Sequence, residues 1–123
     1  MNADFDAVSR LVSSYAVAFH TGDSDGLARM FHESCVLRTS QEGKITDFTL
    51  VNWLDHVASR ASPASQGHTL DVRLRGIDFA GPDCASAIVE MTVPGTHFVD
   101  CLHVLRTQAG WQIAGKVFQA TPR

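Results

Sequence analysis

The chain has 123 residues, 45% of them hydrophobic, and a formal net charge of -3 at pH 7. This length suits one domain, residues 1–123, with a single core, and no apolar run is long enough to cross a bilayer. The charges are scattered rather than gathered into a basic face, so neither nucleic acid nor a membrane is an expected partner. The N-terminus has no basic segment followed by an apolar one, which predicts no signal peptide and a cytoplasmic location.

The first 31 residues predict two helices. Apolar side chains recur at intervals of three and four along residues 4–20, which is typical of a helix with one buried face: Phe5, Val8, Val12, Tyr15 and Phe19. Gly22 can adopt the left-handed conformation that ends a helix. Asp23 or Ser24 can then cap a second helix that extends to about Phe31.

The next segment predicts a short strand over residues 35–40, a turn at 41–43, and a third helix. That helix begins near Thr46 or Asp47 and places its apolar residues, including Leu50 and Trp53, on one side. The Ser62-Pro63 pair ends it, because proline disfavours a helical conformation for the preceding residue.

From Gln66 onwards the apolar residues recur with a period of two, which predicts strands. The apolar residues occupy even-numbered positions up to Leu74 and odd-numbered positions after it, so a bulge is expected at Arg75-Gly76. Turns at residues 81–83 and 94–95 bound a strand with one apolar face: Ala85, Ala87, Val89, Met91 and Val93. A hairpin of residues 96–106 and 111–119 closes the sheet. Helices followed by antiparallel strands predict an α+β fold.

The pattern of this last hairpin predicts which side chains face the helices. If residues 107–110 form the loop, Asp100 pairs with Val117, and the more apolar face carries Asp100, Leu102, Val104, Trp111, Ile113 and Val117. Asp100 then points into the core, and His103 points away from it. One additional residue in the loop, or a bulge, would reverse this assignment.

A carboxylate among apolar side chains is costly unless it is neutral, hydrogen-bonded or beside a cavity. Two interpretations of Asp100 follow. It is either a rim residue bonded to Lys116 or a backbone amide, or a functional group that lines a pocket.

Residues 15–31, a helix, a glycine and an acidic cap before a second helix, resemble the opening of the nuclear-transport-factor-2-like superfamily. That superfamily includes ketosteroid isomerases, scytalone dehydratases and polyketide cyclases. The runs Phe98-Val-Asp-Cys-Leu-His-Val-Leu-Arg106 and Gly110-Trp-Gln-Ile-Ala-Gly-Lys-Val-Phe118 resemble its lumazine-binding branch, with Cys101 in place of the usual aromatic residue. The resemblance implies three helices packed on a strongly curved, mostly antiparallel sheet, forming a cone with an internal pocket.

The resemblance also implies roles for particular residues. Tyr15 takes the place of the tyrosine with which ketosteroid isomerases stabilise an enolate oxygen, and Thr39 takes that of their aspartate base. Their second oxyanion donor falls near Leu102, one pleat from Asp100. Because threonine cannot act as that base at neutral pH, steroid isomerase activity is not expected.

The first functional hypothesis is a cofactor-free isomerase, dehydratase or cyclase that acts on a hydrophobic, ring-containing substrate. Tyr15 and Asp100 would be catalytic, as hydroxyl donor and as acid or base. The expected ligand-binding residues are Phe19, Phe31, Trp53, His68, Met91, Leu102 and Val117. The alternatives are a non-catalytic module that binds a small aromatic, lumazine-like ligand, and a dimerisation domain with a vestigial cavity.

Two further expectations concern metals and self-association. The six histidines and three cysteines lack the spacing of metal ligands, which predicts that the chain has no metal site. The cysteines are expected to be free thiols. The last strands carry apolar residues on both faces, including Val99, Cys101 and Leu105 on the outer one. Both faces are therefore expected to be covered, and a homodimer through the outer face is the simplest cover.

Overall fold

The computed structural model describes residues 3–123, in which three helices pack on one face of a six-stranded sheet. The helices are α1 (Ala3–Thr21), α2 (Ser24–Met30) and α3 (Leu50–Ser59). The strands are β1 (Phe31–Gln41), β2 (Lys44–Thr49), β3 (Asp71–Gly81), β4 (Cys84–Val93), β5 (Thr96–Thr107) and β6 (Gly110–Pro122).

The strand order is β2-β1-β6-β5-β4-β3. All neighbouring strands are antiparallel except β1 and β6, which run parallel. The sheet curls around the helices without closing. The predicted α+β architecture, with helices on one side of a mostly antiparallel sheet, is confirmed.

The first two helices form as their sequence predicts, except that Phe5, predicted to lie in the buried stripe, is 44% exposed. The apolar stripe of α1 is buried from Val8 to Phe19, and Gly22 ends the helix with a φ of 72°. Asp23 caps α2 by accepting a hydrogen bond of 2.9 Å from the amide of Gly26. No helix among residues 3–123 combines the length and the apolar character needed to span a membrane.

Residues 44–49 form a strand, not the beginning of the third helix. Glu42 and Gly43 both have positive φ, 53° and 81°, and such a two-residue turn returns the chain alongside the strand that precedes it. The prediction therefore placed the start of the helix too early. Thr49 caps α3 instead, with its hydroxyl accepting a hydrogen bond of 3.1 Å from the amide of Asn52.

The central strands follow the predicted pattern. The β3–β4 register shifts between Leu74 and Gly76, which confirms the bulge expected there. The predicted apolar face of β4 is buried from Ala85 to Met91. These side chains form the floor on which α1 packs.

The last hairpin contains a bulge that the sequence did not reveal. Arg106 pairs with Trp111 as predicted, but His103 pairs with Gly115, so Ala114 is an additional residue in β6. The β5 prediction is confirmed, since Asp100 is buried and His103 is exposed. Beyond the bulge, each side chain of β6 faces the side of the sheet opposite to the predicted one.

Lys116 therefore faces inward with 4% exposure, and Val117 faces outward with 47% exposure. The predicted inward orientation of Val117 was wrong. The cause is the single residue that changes the alternation between the two faces.

Candidate functional site

A cavity of about 590 Å³ lies between α3 and the inner face of the sheet. Five aromatic side chains line it: Phe19, Phe48, Trp53, Phe98 and Phe118. Two buried charged residues, Asp100 and Lys116, also line it. The lining residues Asn52, His56 and Pro94 are solvent-exposed and mark the mouth. The volume and the composition are those of a small-molecule site.

Three buried polar side chains meet where α1, β5 and β6 converge. The hydroxyl of Tyr15 donates a hydrogen bond of 2.5 Å to Oδ2 of Asp100, and Nζ of Lys116 donates one of 2.7 Å to the Tyr15 oxygen. Lys116 Nζ also lies 3.6 Å from Asp100 Oδ2. Burying such a pair is tolerable because each charge has both an opposite charge and a hydrogen bond.

The second carboxylate oxygen of Asp100 has no such partner. Oδ1 is buried and forms no hydrogen bond with any residue of the range 3–123. An acceptor in this condition costs about 1–3 kcal/mol unless something else satisfies it. Asp100 also lines the cavity, so this carboxylate lies at the wall with one oxygen that no protein group satisfies.

Burial sets the protonation of this cluster. It raises the pKa of Tyr15 well above 10.0, and repulsion from the Asp100 charge acts in the same direction. Burial lowers the pKa of Lys116, while attraction to Asp100 opposes that change. Tyr15 therefore remains a proton donor, which keeps Asp100 oriented.

Aromatic rings surround the Lys116 ammonium. Nζ lies 4.4 Å from the centroid of Trp53, 5.0 Å from that of Phe118 and 5.3 Å from that of Tyr15. Ring faces attract a cation that has lost its water. These contacts help to hold a charged lysine in an apolar wall.

Comparison with known proteins identifies the family. Residues 3–119 match the family described as "Putative lumazine-binding". The chain belongs to this family. The chain is also 25% identical over 126 residues to aldolase FrzH of Cladobotryum sp, an alignment that covers 99% of this chain and 95% of the aldolase.

Solved structures that carry the NTF2-like label share the fold of this family member, as the sequence predicted. An NTF-2-like protein of unknown function from Silicibacter pomeroyi has a TM-score of 0.84 at 24% identity, covering 96% of both chains. A ketosteroid isomerase-like protein from Erwinia carotovora atroseptica has a TM-score of 0.73 at 12% identity, covering 98% of both chains. These likenesses concern the fold.

The residues predicted for the site fall into two groups in this family member. Phe19, Trp53, Met91 and Asp100 line the cavity, and Tyr15 reaches it through its bond to Asp100. The others lie elsewhere. Phe31 packs behind Trp53 at 5.3 Å, Leu102 is in the core, Val117 is on the outer face, and His68 Nε2 lies 3.1 Å from the Thr92 carbonyl oxygen.

Thr39 provides no base in this family member. Its hydroxyl donates a hydrogen bond of 2.6 Å to the carbonyl oxygen of Phe118, so it serves the pairing of β1 with β6. Among residues 3–123, no group of three His, Cys, Asp or Glu side chains could hold a metal ion.

Sequence reasoning missed part of the site. The sequence predicts Lys116 only as a rim partner of Asp100, although it lies in the cavity wall. Asn52, His56 and Arg60 also line the cavity, and their spacing of four residues along α3 and its C-cap was a signal that one polar stripe faces the mouth.

Proposed function

We propose that this protein is a cofactor-free enzyme that moves a proton at a carbon atom next to a carbonyl group. Proton transfer of this kind begins the reactions of some isomerases, dehydratases, cyclases and aldolases that work without a metal or a coenzyme. The substrate class is a hydrophobic, ring-containing carbonyl compound, in keeping with the aromatic walls of the cavity.

The unpartnered Oδ1 of Asp100 carries this proposal. Tyr15 and Lys116 both hold the Oδ2 side of the carboxylate, which leaves Oδ1 as the oxygen available to accept a proton. A base held by neighbours on one side and free on the other is already oriented for transfer. In this proposal Tyr15 is a positioning residue for Asp100, whereas the resemblance implies an oxyanion donor.

The proposed step uses Lys116 as the electrostatic partner. Asp100 Oδ1 takes the proton from carbon, and the electron pair of the broken C–H bond delocalises onto the carbonyl oxygen. The ammonium of Lys116 donates a hydrogen bond to that developing anion. A fixed cation in an apolar wall stabilises new negative charge more strongly than water does. The resulting enolate then takes a proton at another carbon or attacks a second carbonyl.

The relatives support this reaction class. A protein that is 25% identical over 99% of this chain is named an aldolase, and aldol chemistry passes through an enolate or its enamine equivalent. A protein of the same fold is described as ketosteroid isomerase-like. Both names are compatible with proton transfer at a carbon beside a carbonyl group.

A non-catalytic binding module is the second candidate function. The rings of Phe19 and Trp53 are stacked, 6.2 Å apart at an interplanar angle of 5°, and such a pair offers a flat surface to a bicyclic ligand. The lumazine-binding description of the family favours the same interpretation.

The test is proton abstraction from 5-nitrobenzisoxazole, an uncharged bicyclic carbon acid. The base takes its C–H proton, the ring N–O bond breaks, and a coloured cyanophenolate is released. We expect wild-type protein to accelerate this reaction, and Asp100→Asn to lower the rate roughly 100-fold or more, the usual contribution of a positioned base. The matched control is Glu90→Gln, which removes a carboxylate from the outer face and should leave the rate unchanged.

Equal rates for the wild type and Asp100→Asn would reject the enzyme proposal. Fluorescence titration with lumazine then examines the second candidate. Binding that survives Asp100→Asn but is lost in Trp53→Ala would indicate a binding module.

A further inference from the structure

We infer that Arg60 forms an anion subsite at the mouth of the cavity, and that the natural ligand is a ring compound carrying one carboxylate. This inference rests on the proposed function, because it names the substrate class of the same site. It assigns the ligand two fixed points, a carboxylate at Arg60 and a reacting carbonyl at Asp100 and Lys116.

Arg60 is held in place and has an unused donor. It is the C-cap residue of α3, and its guanidinium carbon lies 4.6 Å from the centroid of Phe19. Nη1 makes one long hydrogen bond, 3.5 Å, to the carbonyl oxygen of Ala61, but Nη2 is buried and has no partner among residues 3–123. A buried guanidinium nitrogen without an acceptor is costly, so the site is built for one that arrives with a ligand.

Several arginines on the outer surface, in contrast, are paired with carboxylates. Arg38 and Arg106 each lie 2.7 Å from an aspartate oxygen, and Arg75 lies 3.7 Å from Glu90. Within residues 3–123, no carboxylate lies within ion-pair distance of Arg60. Burial also lowers the pKa of Arg60, which a bound anion would counteract.

The charges that line the cavity favour an anion with a single charge. Arg60 and Lys116 are positive and Asp100 is negative, so one positive charge remains uncompensated. A carboxylate neutralises it and matches the planar fork of a guanidinium. A doubly charged phosphate would leave an excess negative charge in an aromatic cavity.

Both cations lie near one aromatic side chain of the cavity wall. Arg60 Cζ and Lys116 Nζ lie 4.6 Å and 5.9 Å from the same Phe19 centroid. Trp53 lies parallel to that ring. A flat ligand body against these aromatic residues would direct its acid group to Arg60 and its other end to Lys116.

The experiment compares two ligands that differ only in charge, 1-naphthaleneacetate and 1-naphthaleneacetamide, by isothermal titration calorimetry. We expect the wild type to bind the carboxylate roughly tenfold more tightly, since a charge-assisted hydrogen bond contributes that much or more. Arg60→Gln should abolish the preference and Arg60→Lys should retain part of it. The matched control Arg38→Gln removes a positive charge from the outer surface and should keep the full preference.

Equal affinities of the wild type for the two ligands would overturn the inference, and so would an undiminished preference in Arg60→Gln. Arg60→Lys shows that loss of binding is not a folding defect, because it keeps the charge and most of the packing over Phe19. The proton-abstraction assay uses a probe without a carboxylate, so the two proposals fail independently. A carboxylate preference without catalysis would leave an acid-binding protein, and catalysis without the preference would leave an enzyme for uncharged substrates.

Discussion

Asp100 and Glu90 lie on adjacent strands of one sheet, and both have cationic neighbours, but they occupy opposite faces. Val89 pairs with Asp100, and Glu90 follows it with its side chain on the outer side. Glu90 lies 3.1 Å from His97 Nε2, 3.7 Å from Arg75 and 3.8 Å from Arg73. Its side chain is 21% exposed, whereas that of Asp100 is 1% exposed.

Three cationic or titratable side chains lie near Glu90 and only Lys116 lies near Asp100. The electrostatic free energies are nevertheless larger around Asp100. Water screens the outer charges, so each contributes little and the loss of one is easily compensated. The inner pair is fully desolvated, and apolar side chains of similar volume would often be as stable or more stable. We therefore attribute the inner pair to chemistry at the cavity and the outer cluster to ordinary surface electrostatics.

The largest effect should follow from Lys116→Met. This change leaves the Asp100 carboxylate buried without its cation, which costs about 3–5 kcal/mol in the free energy of unfolding. Glu90→Gln should cost no more than about 1 kcal/mol. Urea denaturation measures both.

The double variant Asp100→Asn/Lys116→Met is the control for the first comparison, since it removes both charges. It should be more stable than Lys116→Met alone, because the uncompensated charge is gone. If Lys116→Met cost no more than Glu90→Gln, the distinction between the two faces would be wrong.

A smaller effect is expected from Tyr15→Phe, which removes a hydrogen bond to a buried carboxylate and should cost about 1.5–3 kcal/mol. Tyr15 is the only tyrosine in the chain, so phenolate absorbance reports its ionisation alone. The native protein should show no phenolate signal as the pH passes 10.0, because the folded pKa is well above that value.

The raised pKa of Tyr15 also gives stability a defined pH dependence. Above pH 10.0 the unfolded chain loses the Tyr15 proton while the native state keeps it. The contribution of Tyr15 is therefore fully present below pH 10.0 and declines as the pH rises toward the folded value. An unaltered phenolate titration in native protein would show that Tyr15 is exposed to solvent.

The smallest change in fold stability, within about 0.5 kcal/mol, is expected from Val117→Lys on the outer face. Val117 and Leu105 are 47% and 42% exposed, and we expect this face to be covered by a second copy of the chain. Sedimentation velocity should show a dimer for the wild type and a monomer for Val117→Lys. A wild-type monomer at micromolar concentration would contradict the expectation.

Thiol reactivity gives a second measure of that dimer. Cys84 is exposed and Cys101 is half-buried, both on β strands, whereas Cys35 is buried and burial raises its pKa to about 11. Cys35 should resist a thiol reagent in either state. Cys101 should react faster in Val117→Lys than in the wild type, because the outer face is then uncovered.

Most of the fold was predictable because buried faces impose a regular spacing. The stripe of α1 and the alternation of β4 are such spacings, and Gly22 and Asp23 mark a boundary with known backbone chemistry. Strand β2 was not predictable in this way. It lies at the edge of the sheet with nearly all of its side chains exposed, so no alternation distinguishes it from a loop.

The site was less predictable because it depends on two local irregularities. Lys116 faces the cavity because Ala114 is accommodated as an unpaired bulge residue, and nothing in the apolar pattern marks that position. Arg60 lies just after the end of α3, where helical periodicity no longer applies. Asp100 was predictable because β5 is regular up to the loop.

The bulge at Ala114 has a consequence for how such a protein can change over generations. Deleting this one residue would leave Ile113 opposite Val104 and Gly115 opposite His103 in a regular hairpin, so Lys116 would still face the cavity and Val117 the outer surface. A single codon deletion at this position would therefore remove the irregularity and keep the charge in the cavity. Relatives that lack the insertion would share both the fold and the lysine beside Asp100.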